Sequence, residues 1–236
     1  MLFEVPSFYL KKININLNKI IEYIYPPTCI ICDAKSSNYI CSKCDKRIKQ
    51  YESNRFLTPK DDNNINRSYE YLYYIFQYEK LIRKIMIDYK FFSKPYISHF
   101  FAYKILNNNY LCKKLELYDY IIPIPMSPRK EKQRGYNQTN LISTIISKHL
   151  KIEQSHILKR IKNSPTQGKL SKIERENNIK GTFYIEEKQQ IQNKKVILLD
   201  DIYTTGNTIE GCSQVLKESG VKEIFVIIIA KDFMKD

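Results

Sequence analysis

The stretch Val196-Ile-Leu-Leu-Asp-Asp-Ile-Tyr-Thr-Thr-Gly-Asn-Thr208 decides how this 236-residue chain is read. Val196 to Leu199 is a continuous apolar, partly β-branched run, the pattern of a parallel strand covered on both faces. Asp200 and Asp201 follow at its carboxyl end, where open α/β sheets place their ligands. Tyr203, Thr204, Thr205, Gly206, Asn207 and Thr208 then supply hydroxyls, one glycine and successive backbone N–H groups before a helix.

The order of these parts fits a sugar phosphate. A phosphate needs converging N–H groups, the close backbone approach that Gly206 permits, and hydroxyl donors such as Thr204, Thr205 and Thr208. Vicinal ribose hydroxyls need acceptors, and two ionised carboxylates offer nothing else. Neighbouring strand residues point to opposite faces, so both acids reach one ligand only if the strand turns at Asp201. A bare acid pair or a Thr-Thr-Gly turn reads as an acidic turn and a helix cap; strand, acids and loop in this order build a pocket. The string resembles the phosphoribosyl pyrophosphate (PRPP) signature of type I phosphoribosyltransferases. That resemblance implies a parallel sheet flanked by helices, a smaller hood, and Mg²⁺ chelated with PRPP. It further implies attack of a nitrogen nucleophile at the anomeric carbon as pyrophosphate leaves.

Outward from this stretch, composition sets the bounds. The length accommodates one full α/β core plus a small appendage. A 43% hydrophobic and 13% aromatic content is globular, and a net charge of +14 draws polyanions without choosing among nucleic acid, membrane surface and PRPP. Lys and Arg are scattered, so a solvated basic surface explains the charge equally well. No run approaches the roughly 18 apolar residues of a membrane helix. Met1 to Leu10 carries Glu4 and Pro6 within its apolar part, so a cytoplasmic protein with no membrane association is expected.

Ile13, Leu17, Ile20, Ile21 and Ile24 fall at helical spacing before Tyr25-Pro-Pro27. Cys29-Ile-Ile-Cys32 and Cys41-Ser-Lys-Cys44 follow. Two CxxC knuckles in so short a segment have the spacing of a closed, structural Zn²⁺ site. A redox dithiol needs only one of them, and a disulfide pair is unusual in a cytosolic chain. Cys112 and Cys212 are isolated and read as buried thiols. The expected division is a helix and zinc ribbon over 1–50, a polar linker over 51–68, and a phosphoribosyltransferase-like domain over 69–236.

Within that domain, residues 69–78 read as a strand and Leu81, Ile82, Ile85, Met86 and Tyr89 as a helix; a second helix is expected over about 96–110. His99 beside Phe100 and Phe101 reads as packing. Tyr118 to Pro125 is a core strand, followed by a basic loop carrying Ser127, Arg129, Lys130, Lys132 and Arg134 and then the helix of Leu141, Ile142, Ile145 and Ile146. On charge alone that loop is merely solvated. Its place after a core strand lets those cations neutralise a pyrophosphate leaving group, with Arg suited to paired oxygens. Gln167, Arg175 and Asn178 are further candidate ligands, each equally readable as a cap or surface residue. Thr182 to Ile185 reads as a short strand, Asn207 to Ser219 as a helix closed by Gly220, and Glu223 to Ala230 as the last buried strand.

Assembled, four features resemble the ComF family of competence-associated, phosphoribosyltransferase-like proteins. They are Tyr25-Pro-Pro-Thr-Cys29 with the second CxxC, Ile-Pro-Ile-Pro125 with Arg134-Gly-Tyr-Asn-Gln138, Ser164-Pro-Thr-Gln167 with Arg175 and Asn178, and the PRPP-like string. Tyr78-Glu-Lys80 and Tyr89-Lys-Phe91 also resemble the family, with Lys80 standing where it carries glycine. The resemblance implies a role in uptake of single-stranded DNA during natural transformation, beside a helicase-like partner. Asp200, Asp201 and Arg134 are the catalytic candidates if phosphoribosyl transfer occurs. Only a few residues follow the last strand, so a base-reading C-terminal hood is not expected, which weighs against nucleobase salvage.

Overall fold

The computed structural model describes residues 28–61, 67–161 and 182–233. The expected helix before Tyr25, the Ser164–Gln167 turn, Arg175 and Asn178 lie outside them. The chain divides into two compact units, residues 1–46 and 47–236.

In the first unit, Thr28 and Lys35 pair across a tight turn, with the Cys29 and Ile30 N–H groups donating to the Ala34 and Tyr39 carbonyls. This bend returns the chain so that helix α1 (Ser42–Lys49) begins directly after Cys41 and carries Cys44.

The second unit is built on a six-stranded sheet. Its strands are β1 (Glu52–Leu57), β2 (Tyr71–Gln77), β3 (Tyr120–Pro123), β4 (Glu153–Gln154), β7 (Lys195–Tyr203) and β8 (Glu223–Lys231), in the order β1-β2-β8-β7-β3-β4. All pairs are parallel except β1 with β2. Strands β5 (Leu158–Arg160) and β6 (Phe183–Ile185) form a separate antiparallel pair. Val196 to Leu199 and Ile224 to Ala230 are fully buried, as central strands covered on both faces must be.

Helices α2 (Lys80–Phe91), α3 (Ile97–Leu106), α4 (Asn109–Leu115), α5 (Pro128–Arg134), α6 (Gln138–Leu150) and α7 (Asn207–Glu218) connect the strands. Ile82, Ile85, Met86 and Tyr89 are the buried face of α2. Among the described residues no helix is long and apolar enough to cross a membrane.

Three expectations are corrected. Glu52–Leu57, placed in the linker, is edge strand β1; an edge strand tolerates polar residues, and Phe56 still packs on Tyr73 with ring centroids 4.8 Å apart. The basic loop after β3 is helix α5: Pro128 begins it, Arg, Lys, Glu and Gln favour it, and Gly135 ends it at φ 83°. The helix expected over 96–110 is two, because the Asn108 side chain accepts from the Leu111 N–H at 3.0 Å and starts α4 afresh.

The topology fixes where a ligand can bind. From β7 the chain crosses through α7 to β8 on one side; from β3 it crosses through α5 and α6 to β4 on the other. Since β3 and β7 are neighbours, their carboxyl ends flank the crevice at which the strand order reverses.

Candidate functional site

Strand β7 delivers the acids to that crevice. Its pairing on β8 continues regularly through Asp200↔Ile228, Ile202↔Ala230 and Tyr203↔Lys231, so the turn expected at Asp201 is absent and the chain leaves the sheet only after Tyr203. Strand alternation therefore separates the two carboxylates. Val196 and Leu198 pack with Ile209, Cys212 and Leu216 of α7, and Asp200 continues that face. Asp201 lies on the other, where its Oδ2 is 2.8 Å from the Lys90 ammonium at the end of α2.

Burial, and then the charge of Asp201, push the Asp200 carboxyl up to about 7. The Asp201 N–H, which donates to Asp200 Oδ1 at 2.8 Å, pulls the other way together with Lys90 and Arg160. Lys130 is held below the usual lysine range, first by burial and then by the cations Arg160, Arg134 and Lys90, while Asp201 opposes them. Lys90, Lys130, Arg134 and Arg160 thus share one neighbourhood with the acid pair. Four cations against two carboxylates leave a positive excess suited to a phosphorylated ligand.

The loop Tyr203–Thr208 is held by geometry. Gly206 has φ 75° and caps α7 without any side-chain acceptor, so the first N–H groups of the helix keep their donor capacity. A β-carbon there would collide with the Tyr203 hydroxyl and stand 2.6 Å from its ring Cζ. Tyr203 is buried beneath the loop, with the Lys231 ammonium 4.8 Å from its ring centre, while Thr204, Thr205 and Thr208 are exposed and Asn207 half-buried. Arg67 donates to the Thr205 carbonyl at 3.2 Å, and Ser68 donates through N–H and hydroxyl to Glu210 at 3.0 and 2.7 Å. The segment before β2 thereby pins the phosphate-type loop and the first turn of α7.

Across the crevice, Lys130 and Arg134 lie one turn apart on α5; Arg129, Lys130 and Lys132 are exposed, and Arg134 and Ser127 are half-buried. The Arg134 guanidinium sits 5.2 Å from the Phe91 ring centre and donates to Gln138 Oε1 at 2.8 Å. The rest of Arg134-Gly-Tyr-Asn-Gln138 is a joint. The Asn137 side chain accepts from the N–H groups of Thr139 and Asn140 and donates to the Ile124 carbonyl, capping α6 on the end of β3. The Tyr136 hydroxyl donates to the Tyr89 carbonyl, and the Tyr89 hydroxyl to the Gln138 carbonyl at 2.9 Å. Buried Gln138 thus ties α2 to α6 and steadies Arg134.

Sequence reasoning missed Lys90 and Arg160. Lys90 carried one signal, its place in Tyr89-Lys-Phe91; Arg160, on β5 with its guanidinium 5.4 Å from the Phe183 ring centre, carried none.

In the first unit, the sulfurs of Cys29, Cys32, Cys41 and Cys44 all lie within 4.8 Å of one another, and Cys32 and Cys41 are 3.7 Å apart. Tetrahedral zinc with Zn–S bonds of about 2.3 Å requires sulfurs roughly 3.8 Å apart. All four are free thiols. Burial first, and then the neighbouring thiols, push Cys44 up to about 12, whereas at Cys29 burial is outweighed by backbone hydrogen bonds that pull the thiol down to about 7. The donor set and its dimensions fit Zn²⁺.

A mostly parallel sheet with acids, glycine turn and cations at its switch point defines a phosphoribosyltransferase-like class, and residues 141–232 match the phosphoribosyl transferase domain. Competence protein F of Haemophilus influenzae is 29% identical over 220 residues, covering 86% of this chain and 96% of that protein. Competence protein ComFC of Bacillus subtilis is 31% identical over 100 residues, 42% of this chain and 39% of that one. DNA utilization protein YhgH of Escherichia coli is 31% identical over 113 residues, and the match spans 49% of its length. Over most of its length the chain is similar to competence protein F, and these likenesses support a ComF-type, phosphoribosyltransferase-like protein.

Proposed function

We propose that this chain binds PRPP, or a closely related ribose phosphate, in the crevice between β3 and β7, and acts in handling single-stranded DNA during natural transformation. One observation carries the binding reading: Asp200 and Asp201, the Gly206 loop and the cations Lys90, Lys130, Arg134 and Arg160 converge at the switch point. The names of the relatives, competence protein F and DNA utilization protein, support the process. A helicase-like partner and a cytoplasmic location belong to the same reading.

In the bound state the N–H groups at Gly206–Thr208 and the threonine hydroxyls hold the 5′-phosphate, and the carboxylates accept from the ribose diol. Tyr203 acts from beneath, by shaping the loop. The cations of α5, with Arg160, offset charge on the pyrophosphate, and a site of fixed charges needs little reorganisation to do so. Mg²⁺, as part of the PRPP substrate, would supply further positive charge at the pyrophosphate. In the first unit Cys29, Cys32, Cys41 and Cys44 hold Zn²⁺ structurally, since four protein ligands leave no position for substrate.

The second reading is an active phosphoribosyltransferase in nucleotide or nucleobase metabolism, favoured by the cations placed where charge develops as pyrophosphate departs. Pyrophosphate release from PRPP, assayed against bases, amines and nucleic acids, separates the two. Release that depends on one acceptor establishes the enzyme; PRPP binding without release establishes the binding protein; neither binding nor release overturns both.

A further inference from the structure

The end of α2 carries a feature the ribose-phosphate site does not use. Phe91 and Phe92 are 64% and 62% exposed, adjacent in sequence, and follow directly on Lys90, the partner of Asp201. Single exposed apolar residues are common on soluble proteins; two consecutive exposed phenylalanines directly after a cation of the site are not ordinary surface. Their support is rigid. The Phe92 N–H donates to the Asp88 carbonyl at 3.1 Å, Asp88 pairs with Lys94 at 2.9 Å, and Tyr136 anchors the Tyr89 carbonyl. One side of Phe91 meets the Arg134 guanidinium at 5.2 Å, and the ring is otherwise largely open to solvent.

Charge identifies the occupant. An apolar peptide or a second copy of this basic chain gains nothing from Arg134 beside Phe91 and the nearby cations Lys90 and Lys130, and a second copy, at +14, is repelled by them. An unpaired nucleobase offers a π-face to phenylalanine, and the strand that carries it offers phosphates to the cations. Aromatic rings beside a positive track are how single strands are held without regard to sequence. We infer that Phe91 and Phe92 form a stacking platform for unpaired bases of a single-stranded polynucleotide whose phosphates run along Lys130 and Arg134 of α5. The inference rests on reading that cationic cluster as a phosphate site, and it extends the site from a ribose phosphate to a strand.

The test is fluorescence anisotropy of labelled oligo-dT on the full chain across a salt series, with a PRPP titration on the same samples. Phe91→Ala with Phe92→Ala is expected to weaken oligo-dT binding by about tenfold or more, as loss of stacking on one or two bases requires, with an unchanged salt slope. Phe91→Trp is expected to retain the parent affinity. Lys130→Gln lowers the magnitude of the salt slope by about 0.7, one phosphate contact. Both rings are exposed, so the variants keep the parent melting temperature, and Phe92→Ala keeps the parent PRPP affinity. Parent-like oligo-dT affinity in the double alanine variant overturns the inference, as does equal affinity of the parent for duplex and single strand. Absence of oligo-dT binding by a parent that binds PRPP overturns it while leaving the PRPP reading intact; loss of PRPP binding alone does the reverse.

Discussion

The two walls of the crevice are built on different principles. The Asp200–Thr208 wall works through its backbone: Gly206 in a left-handed conformation, a buried tyrosine beneath it and a helix start without a side-chain cap. The Ser127–Gln138 wall works through side-chain charge on a short helix, and its uncharged motif residues are spent on capping and anchoring. The first should tolerate no change in shape. The second should tolerate changes of shape and respond to changes of charge.

Paired glycine substitutions break that comparison most sharply. Gly135 and Gly206 both have positive φ, and a β-carbon at Gly135 meets nothing within 4 Å. Gly135→Ala is expected to cost only left-handed strain, about 1 kcal/mol, with PRPP affinity within a few fold of the parent. Gly206→Ala adds displacement of Tyr203 and the loop, and should lower PRPP affinity by at least about a hundredfold, or about 2.7 kcal/mol. Calorimetry with thermal melts reads both effects; equal losses at the two glycines would contradict the distinction.

Capping at Asn137 gives the next effect. Asn137→Ala removes the α6 cap and a hydrogen bond to Ile124, so stability should fall by about 1–2 kcal/mol in a urea titration. Arg129→Ala, on an exposed side chain one wall-segment earlier, should leave stability within about 0.5 kcal/mol.

Asp200 sharpens the comparison through pH. Its folded pKa, about 7, lies above the unfolded carboxylate value. The stability this shift contributes is therefore full below the unfolded pKa and is lost as pH rises through about 7. The parent should lose about 1 kcal/mol from this group between about pH 6 and pH 8, a loss absent in Asp200→Asn. Urea midpoints at both pH values check this, and a parallel pH dependence in the two proteins would refute it.

The smallest effect concerns Lys80, the first residue of α2. It adopts φ 36°, so the turn into α2 keeps the left-handed conformation despite the side chain. Lys80→Gly should stabilise the chain by up to about 1 kcal/mol, measured by thermal melt.

Much of the sheet and of this site was legible in residue order. Val196–Leu199 and Glu223–Ala230 declared themselves as buried strands because central parallel strands have no polar face to hide. The loop from Tyr203 to Thr208 was legible because glycine and hydroxyls are sparse and ordered there. Strand β1 was not, since an edge strand's polar residues look like a linker's. Helix α5 was hidden by its charge, which is equally natural in a solvated loop. The split of Asp200 and Asp201 across the sheet depended on β8 pairing past the acids as far as Tyr203, a long-range fact. Lys90 and Arg160 lie 111 and 41 residues from Asp201, a distance over which single-residue spacing carries no signal.

The central claim is that this crevice holds a pyrophosphorylated ribose. Calorimetric titration of PRPP with Mg²⁺ into the parent and into the Asp200→Asn, Asp201→Asn variant tests it most directly. The account predicts saturable binding by the parent, weaker binding of ribose 5-phosphate, and no measurable PRPP binding by a variant that remains folded. Equal PRPP affinity in parent and variant would contradict it.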